Sequence, residues 1–257
     1  MNHRFIFVAG LHRSGTSILF KTLRDHPLVS GFRETDSPED EGQHLQSVFL
    51  PAHAYGGASR FGFHPDAHLT EQSPLVTTTN KEKLFQEWGK YWDLTRPYLL
   101  EKSPPNIIRT RFLQSMFPDS FFVIIIRHPI AYAFPRGEAN TSRVIYSLFN
   151  HWLACHEIFR EDRPLLKNQM VMRYEDFVAE PDKWMKNIGT FLGIPYSPSQ
   201  QEIRPDINRK YIDQWERWGR GLFGKVWMNV VLHKFESRME SFGYSLRDPS
   251  KRNQGIL

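Results

Sequence analysis

The sequence predicts an α/β protein: a P-loop-like parallel β-sheet flanked by helices on both faces, in a single domain over residues 1–257. Two observations carry this expectation. At the N-terminus an apolar run, Arg4 to Gly10, meets a short turn, Leu11-His12-Arg13-Ser14-Gly15-Thr16-Ser17, and a helix-like segment comes at once after it. Downstream, strand-sized apolar runs alternate with helical segments, the pattern of parallel strands joined by crossovers.

Residues 5–10 read as a buried strand and 15–26 as a helix. Residues 36–49 begin acidic and turn helical from Pro38. Residues 51–79, rich in Gly, His, Pro and Thr, show little periodicity; a loop of that length in a compact domain is usually functional or mobile. Residues 80–94 form an amphipathic helix, and 98–101 a short strand. Residues 105–116 read as a helix opening with proline, which suits a first-turn position. Phe121 to Ile126 is a continuous apolar run, as expected of a strand covered on both faces. A helix over 143–160, a strand over 169–173, a helix over 181–192 ending at Gly193 and a last helix over 224–241 complete the chain.

Composition narrows the function. Of 257 residues, 40% are apolar, enough for a real core. No apolar stretch is long enough for a transmembrane helix, and the N-terminal run is the first strand rather than a secretory leader. Cys155 is the only cysteine, so no disulfide forms within the chain, and a reducing, cytoplasmic setting is expected. Lys and Arg outnumber Asp and Glu by 33 to 28 without a dense basic block. That fits an anionic small-molecule ligand and disfavours nucleic acid.

The first turn is built to hold such an anion. Strand, tight loop and helix point backbone N–H groups inward, and the helix dipole favours negative charge there. The spacing Gly10-x-x-x-x-Gly15 matches the P-loop, but Thr16-Ser17 stands where Lys-Ser/Thr belongs. The lysine that reaches the terminal phosphates of a nucleoside triphosphate is missing, and the nearest cation is Arg13. The plain alternative is a Gly-containing turn with incidental hydroxyls; the strand before and helix after supply the context a phosphate cradle requires. Ligands of such sheets bind at the carboxyl ends of the strands. There the chain places Arg13, then Lys102-Ser103-Pro104, then Arg127-His128-Pro129, then Tyr174-Glu175-Asp176. Charges often mark the exit of a chain from the core, but three cations at three strand ends are less easily explained so.

Together these segments resemble the sulfotransferases that use 3′-phosphoadenosine-5′-phosphosulfate (PAPS). Arg13-Ser14-Gly15-Thr16-Ser17 is similar to their 5′-phosphosulfate loop, and Val123 to Pro129 to their 3′-phosphate strand and turn. Glu101 to Asn106, then Phe117-Pro118-Asp119, resemble the branch that includes carbohydrate and tyrosylprotein sulfotransferases. Met172 to Phe177, Pro181 and Phe191-Leu192-Gly193 resemble a further shared stretch. The resemblance implies that Arg13, Ser14, Gly15, Thr16 and Ser17 hold the 5′-phosphosulfate, Arg127 the 3′-phosphate, and Tyr174 the adenine. For Tyr174, a core tyrosine anchoring a turn is an equal alternative. The serine that the family places eight residues after the arginine is Pro135 here, with Arg136 or Ser142 as substitutes. Arg217 and Arg220 are candidates for a C-terminal basic loop, against a solvated basic turn.

The resemblance also implies the chemistry. PAPS serves as co-substrate, no metal is required, and Arg13 and Lys102 stabilise charge on the leaving oxygen. No convincing metal-ligand spacing is found, and His53, His64 and His68 lie in a polar loop. The cytosolic small-molecule enzymes place a histidine where this chain has Pro104. The tyrosylprotein branch places a glutamate where this chain has Glu34, whose pKa partial burial would raise into a useful range. Glu41 and His44 are the reserves, and Glu101 is expected to pair with Lys102 or another strand-end cation. The acceptor, a small molecule, carbohydrate, lipid or peptide with a hydroxyl or amine, would lie in a cleft made by residues 51–79 and neighbouring aromatics. The alternatives are a P-loop nucleotide kinase and a non-catalytic nucleotide-binding module.

Overall fold

The computed structural model describes residues 3–134 and 142–253. Five strands form one parallel sheet in the order β2-β3-β1-β4-β5. They are β1 (Arg4–Ala9), β2 (Val29–Gly31), β3 (Tyr98–Lys102), β4 (Ser120–Ile126) and β5 (Gln169–Arg173). The α-helices are α1 (Thr16–Arg24), α2 (Thr78–Gly89), α3 (Thr110–Met116), α4 (Pro129–Ala133), α5 (Ser142–Asp162), α6 (Tyr174–Ala179), α7 (Pro181–Leu192), α8 (Arg209–Arg220) and α9 (Leu222–Glu240). β1 lies in the middle, its Val8 level with Lys102 on one side and Val123 on the other.

Alternation along the strands decides which helices cover which face. Phe5 and Phe7, two residues apart, share a face with Phe117, Trp88 and Trp92; the Phe5 and Phe117 rings stand 4.2 Å apart. Phe122 joins that side by stacking on Phe7 at 5.6 Å. Its neighbour Phe121 points the opposite way and meets Phe191 of α7 edge-on at 5.4 Å. Helices therefore cover both faces, as the apolar run of β4 requires.

Some elements differ from the sequence-based expectation. β2 and α4 are too short for a periodic signal. The segment from Pro38 is two 3₁₀ turns, Pro38–Asp40 and Gly42–His44, because Glu39 and Asp40 take positive φ and prevent a continuous helix. The helix expected over 105–116 is interrupted at Arg109 (φ −132°). Residues 209–220 are a helix, so Arg217 and Arg220 do not sit in a turn. Pro135 and Arg136 lie outside the described residues, as does the side chain of Ser142.

Two glycines fix the loop after β1 against β4. A Cβ on Gly10 (φ +155°) would stand 2.3 Å from the Ile125 carbonyl oxygen. One on Gly15 (φ +96°) would stand 2.3 Å from the Tyr174 ring and 3.3 Å from Ile125 Cδ1. Ile125, fully buried, is thus the floor of the loop as well as core. Ile125→Ala should cost about 2–5 kcal/mol in a urea unfolding measurement. A loss below about 1 kcal/mol would show that the loop does not rest on this side chain.

Candidate functional site

The loop between β1 and α1 turns on Arg13 (φ 68°) and Gly15, the latter capping α1 without a side-chain bond. Ser14 is fully buried and its Oγ has no hydrogen-bond partner among the described residues. An orphaned, buried hydroxyl in a loop that opens a helix is what an anion bound there would satisfy. Thr16 is buried, Ser17 half-buried and the Arg13 side chain exposed.

Arg127, one residue past β4, braces this loop. Its Nη1 donates to the Arg13 carbonyl at 2.6 Å, and its guanidinium lies 4.2 Å from the Tyr174 ring centre. Nε and Nη2 both donate to Asn208 Oδ1, at 2.8 and 2.6 Å. Burial pulls its pKa below the usual guanidinium range, opposed by Tyr174 and Glu175 nearby. Tyr174, itself buried, is wedged between Gly15 and Arg127, so its contacts here are with the loop. Glu175 accepts from the His128 backbone N–H, Asn208 Nδ2 and Tyr244 Oη. Asn208 escapes sequence reasoning. It precedes α8 as an N-cap asparagine would, but its side chain makes no capping bond and turns to Arg127.

At the end of β3, Lys102 is fully buried. Its Nζ donates to the Glu39 carbonyl at 2.9 Å and pairs with Glu41 Oε1 at 3.2 Å. The other Glu41 oxygen accepts from Gln43 Nε2, and His44 Nε2 stands 4.0 Å away. Burial, ahead of every electrostatic influence, lowers the His44 pKa. A cleft of about 380 Å³ opens beside this segment, lined by Asp36, Ser37, Pro38, His44, Glu87, Lys90 and Tyr91 among others. The 51–79 stretch contributes a separate, more apolar pocket of about 520 Å³.

Glu34 stands at φ 51° with an exposed side chain. The partial burial expected of it is not present, because β2 has already ended at the edge of the sheet. Glu101 does not pair with Lys102: adjacent strand residues point to opposite faces. Its oxygens accept instead from Ser103 Oγ at 2.6 Å and Asn106 Nδ2 at 2.5 Å. Burial raises its pKa to about 7 against the lowering effect of those two bonds. Among the described residues no group of three or more His, Cys, Asp and Glu could hold a metal ion, and no helix is long and apolar enough to cross a membrane.

The loop after β1, the Arg127 turn and the buried Lys102 thus stand at the carboxyl ends of three adjacent strands, β1, β4 and β3. The model of the sulfotransferase family matches residues 5–198, which span all of them. The chain is a member of the sulfotransferase family. Protein-tyrosine sulfotransferase 1 of Danio rerio is 22% identical over 200 residues, covering 75% of this chain and 54% of that protein. Carbohydrate sulfotransferase 3 of Tetronarce californica is 33% identical over 97 residues, 32% of this chain and 22% of that one. The chain spans about half the length of the tyrosine sulfotransferases it matches. The sulfotransferase domain from the curacin biosynthetic pathway superposes with a TM-score of 0.53 at 19% identity, over 83% of this chain and 90% of its own. That likeness confirms the sheet and its flanking helices as the sulfotransferase fold.

Glu101 gives the protein a pH-dependent stability. The folded protein keeps the Glu101 proton up to about pH 7, whereas the unfolded chain releases it near 4.5. Between those values the unfolded state gains on the folded one as pH rises. Each pH unit is worth about 1.4 kcal/mol, so up to about 3 kcal/mol is lost across the window. Glu101→Gln keeps a hydrogen-bonding amide and removes the titration. Its stability relative to wild type should rise from pH 5 to 7 in chemical denaturation; a constant difference would place the Glu101 pKa elsewhere.

Proposed function

We propose that the protein transfers a sulfuryl group from PAPS to a hydroxyl or amine acceptor by in-line displacement. The observation that carries this is the buried Arg127 fork beside a P-loop-like cradle that lacks the P-loop lysine. A nucleotide with a phosphate on the ribose as well as at the 5′ end needs both. The loop N–H groups with Ser14, Thr16 and Ser17 hold the 5′ end, Arg13 neutralises it, and Arg127 takes the 3′-phosphate. A planar guanidinium suits that task because it can meet two phosphate oxygens together. The relatives named as tyrosine and carbohydrate sulfotransferases support this reading, as does the absence of a lysine after Gly15, which disfavours a kinase. The lone, buried Cys155 fits a cytoplasmic setting.

The donor supplies the sulfuryl group and a phosphate oxygen that departs with the bonding pair. The new bond forms from the acceptor oxygen or nitrogen to sulfur as the bond from sulfur to that phosphate oxygen breaks. Lys102 and Arg13 stabilise the negative charge gathering on the departing oxygen. The acceptor proton passes to Glu34. Both Glu41 oxygens are already engaged, by Lys102 and Gln43. The Glu34 carboxylate has no hydrogen bond or ion pair among the described residues and is open to an acceptor. Glu41 then acts as a positioning residue that holds Lys102. The acceptor is a small molecule, carbohydrate, lipid or peptide.

Incubation with radiolabelled PAPS and a broad acceptor panel, followed by mass spectrometry, tests the reaction directly: label should leave the donor for an acceptor. Transfer of a phosphoryl group from ATP, without sulfuryl transfer, would identify a kinase instead. Glu34→Gln should lower turnover by about two to four powers of ten and leave donor binding nearly unchanged. Lys102→Ala should also slow turnover while keeping the acidic limb of the pH–rate profile, which Glu34→Gln removes. Near-native turnover in Glu34→Gln together with an inactive Glu41→Gln would assign the base to the 40–44 segment.

A further inference from the structure

Arg127 is a buried guanidinium without a carboxylate on it. Among the described residues its donors reach only neutral oxygens, the Arg13 carbonyl and Asn208 Oδ1. A carboxylate is nevertheless close. Glu175 stands on the far side of Asn208 and accepts from Nδ2 at 2.6 Å. The carboxamide is oriented by both neighbours, since its oxygen can only accept from Arg127 and its nitrogen can only donate to Glu175. Glu175 is in turn pinned by the His128 N–H and by Tyr244 Oη at 3.0 Å. The edge that Asn208 occupies, Nε with Nη2, is the edge of a guanidinium that grips two oxygens of a phosphate side-on.

We infer that Asn208 is a specificity-determining positioning residue: it holds the Arg127 fork with a neutral oxygen and keeps Glu175 off it, so that the Arg127 charge stays available to a 3′-phosphate. This rests on the reading of Arg127 given above. A carboxylate at 208 would neutralise the guanidinium and repel an incoming phosphate dianion. The amide does neither and gives way to a stronger, charged acceptor.

The test measures binding of 3′,5′-adenosine bisphosphate and of adenosine 5′-phosphate to four proteins: wild type, Asn208→Asp, Asn208→Ala/Glu175→Gln and Arg127→Ala. Asn208→Asp should weaken the bisphosphate about thirtyfold and the monophosphate by less than about threefold. Asn208→Ala/Glu175→Gln, which removes Glu175, the described carboxylate beside the fork, should bind the bisphosphate within about threefold of wild type. Retained monophosphate binding shows that the cradle is folded in each variant. Wild-type affinity in Asn208→Asp would overturn the inference. So would a loss in the double variant as large as in Asn208→Asp, because contact rather than charge would then be the cause, or an equal loss of both ligands. If the wild type itself does not prefer the bisphosphate, or Arg127→Ala does not remove that preference, the underlying reading of Arg127 fails and the inference falls with it. A preference that depends on Arg127 but ignores Asn208→Asp overturns the Asn208 assignment alone.

Discussion

The hydrogen bond from Arg127 Nη1 to the Arg13 carbonyl, 2.6 Å long, is the constraint on which the site depends. It ties the end of β4 to the loop after β1, across neighbouring strands of the sheet. The same guanidinium lies on Tyr174, and Tyr174 lies on Gly15. Three strand ends are therefore locked around one buried cation. The charge is costly to bury, as its lowered pKa reflects, and no described carboxylate relieves it by direct contact. A protein that only needed a brace here could use a neutral donor. A cation held this way is suited to an anion that arrives from outside.

The second half of the site is held by hydrogen bonds and ion pairs that impose left-handed backbone rather than by stacking. Four non-glycine residues among those described have positive φ: Arg13, Glu34, Glu39 and Asp40. All of them belong to the loop after β1 or to the segment that runs from β2 over the end of β3. Such conformations cost of order 1–3 kcal/mol each and persist where surrounding bonds over-determine them. Asp40 accepts from the Thr35 backbone and hydroxyl and pairs with Arg24, bonds that also lower its pKa against the opposing effect of its burial. The turn so fixed aims the Glu39 carbonyl and the Glu41 carboxylate at Lys102. The lysine is consequently placed by the very segment that carries Glu34.

Much of this is legible in the sequence because it is local. The strand, loop and helix at the N-terminus are contiguous, and the runs of β4 and β5 are strand-sized and apolar. Lys102 and Arg127 are legible because each stands at the carboxyl end of a strand, where ligands of parallel sheets bind. Other features depend on contacts between distant residues. Asn208 meets Arg127 across 81 positions, and no spacing encodes that. The burial expected of Glu34 fails because a three-residue edge strand leaves the chain at the surface. Glu101 is expected on a cation, but its strand orientation sends it to Ser103 and Asn106. Residues 215–221 read as a basic loop because three charges and two glycines fall within seven residues, although α8 runs through most of them.

We propose that Arg127 reads a 3′-phosphate. Calorimetric titration of wild type and Arg127→Ala with 3′,5′-adenosine bisphosphate and adenosine 5′-phosphate addresses it most directly. The bisphosphate should lose about a hundredfold in affinity on removal of the guanidinium. The monophosphate should lose less than about tenfold, through the weakened brace on the Arg13 carbonyl. Equal losses for the two ligands would contradict the claim and leave Arg127 as a structural tie alone.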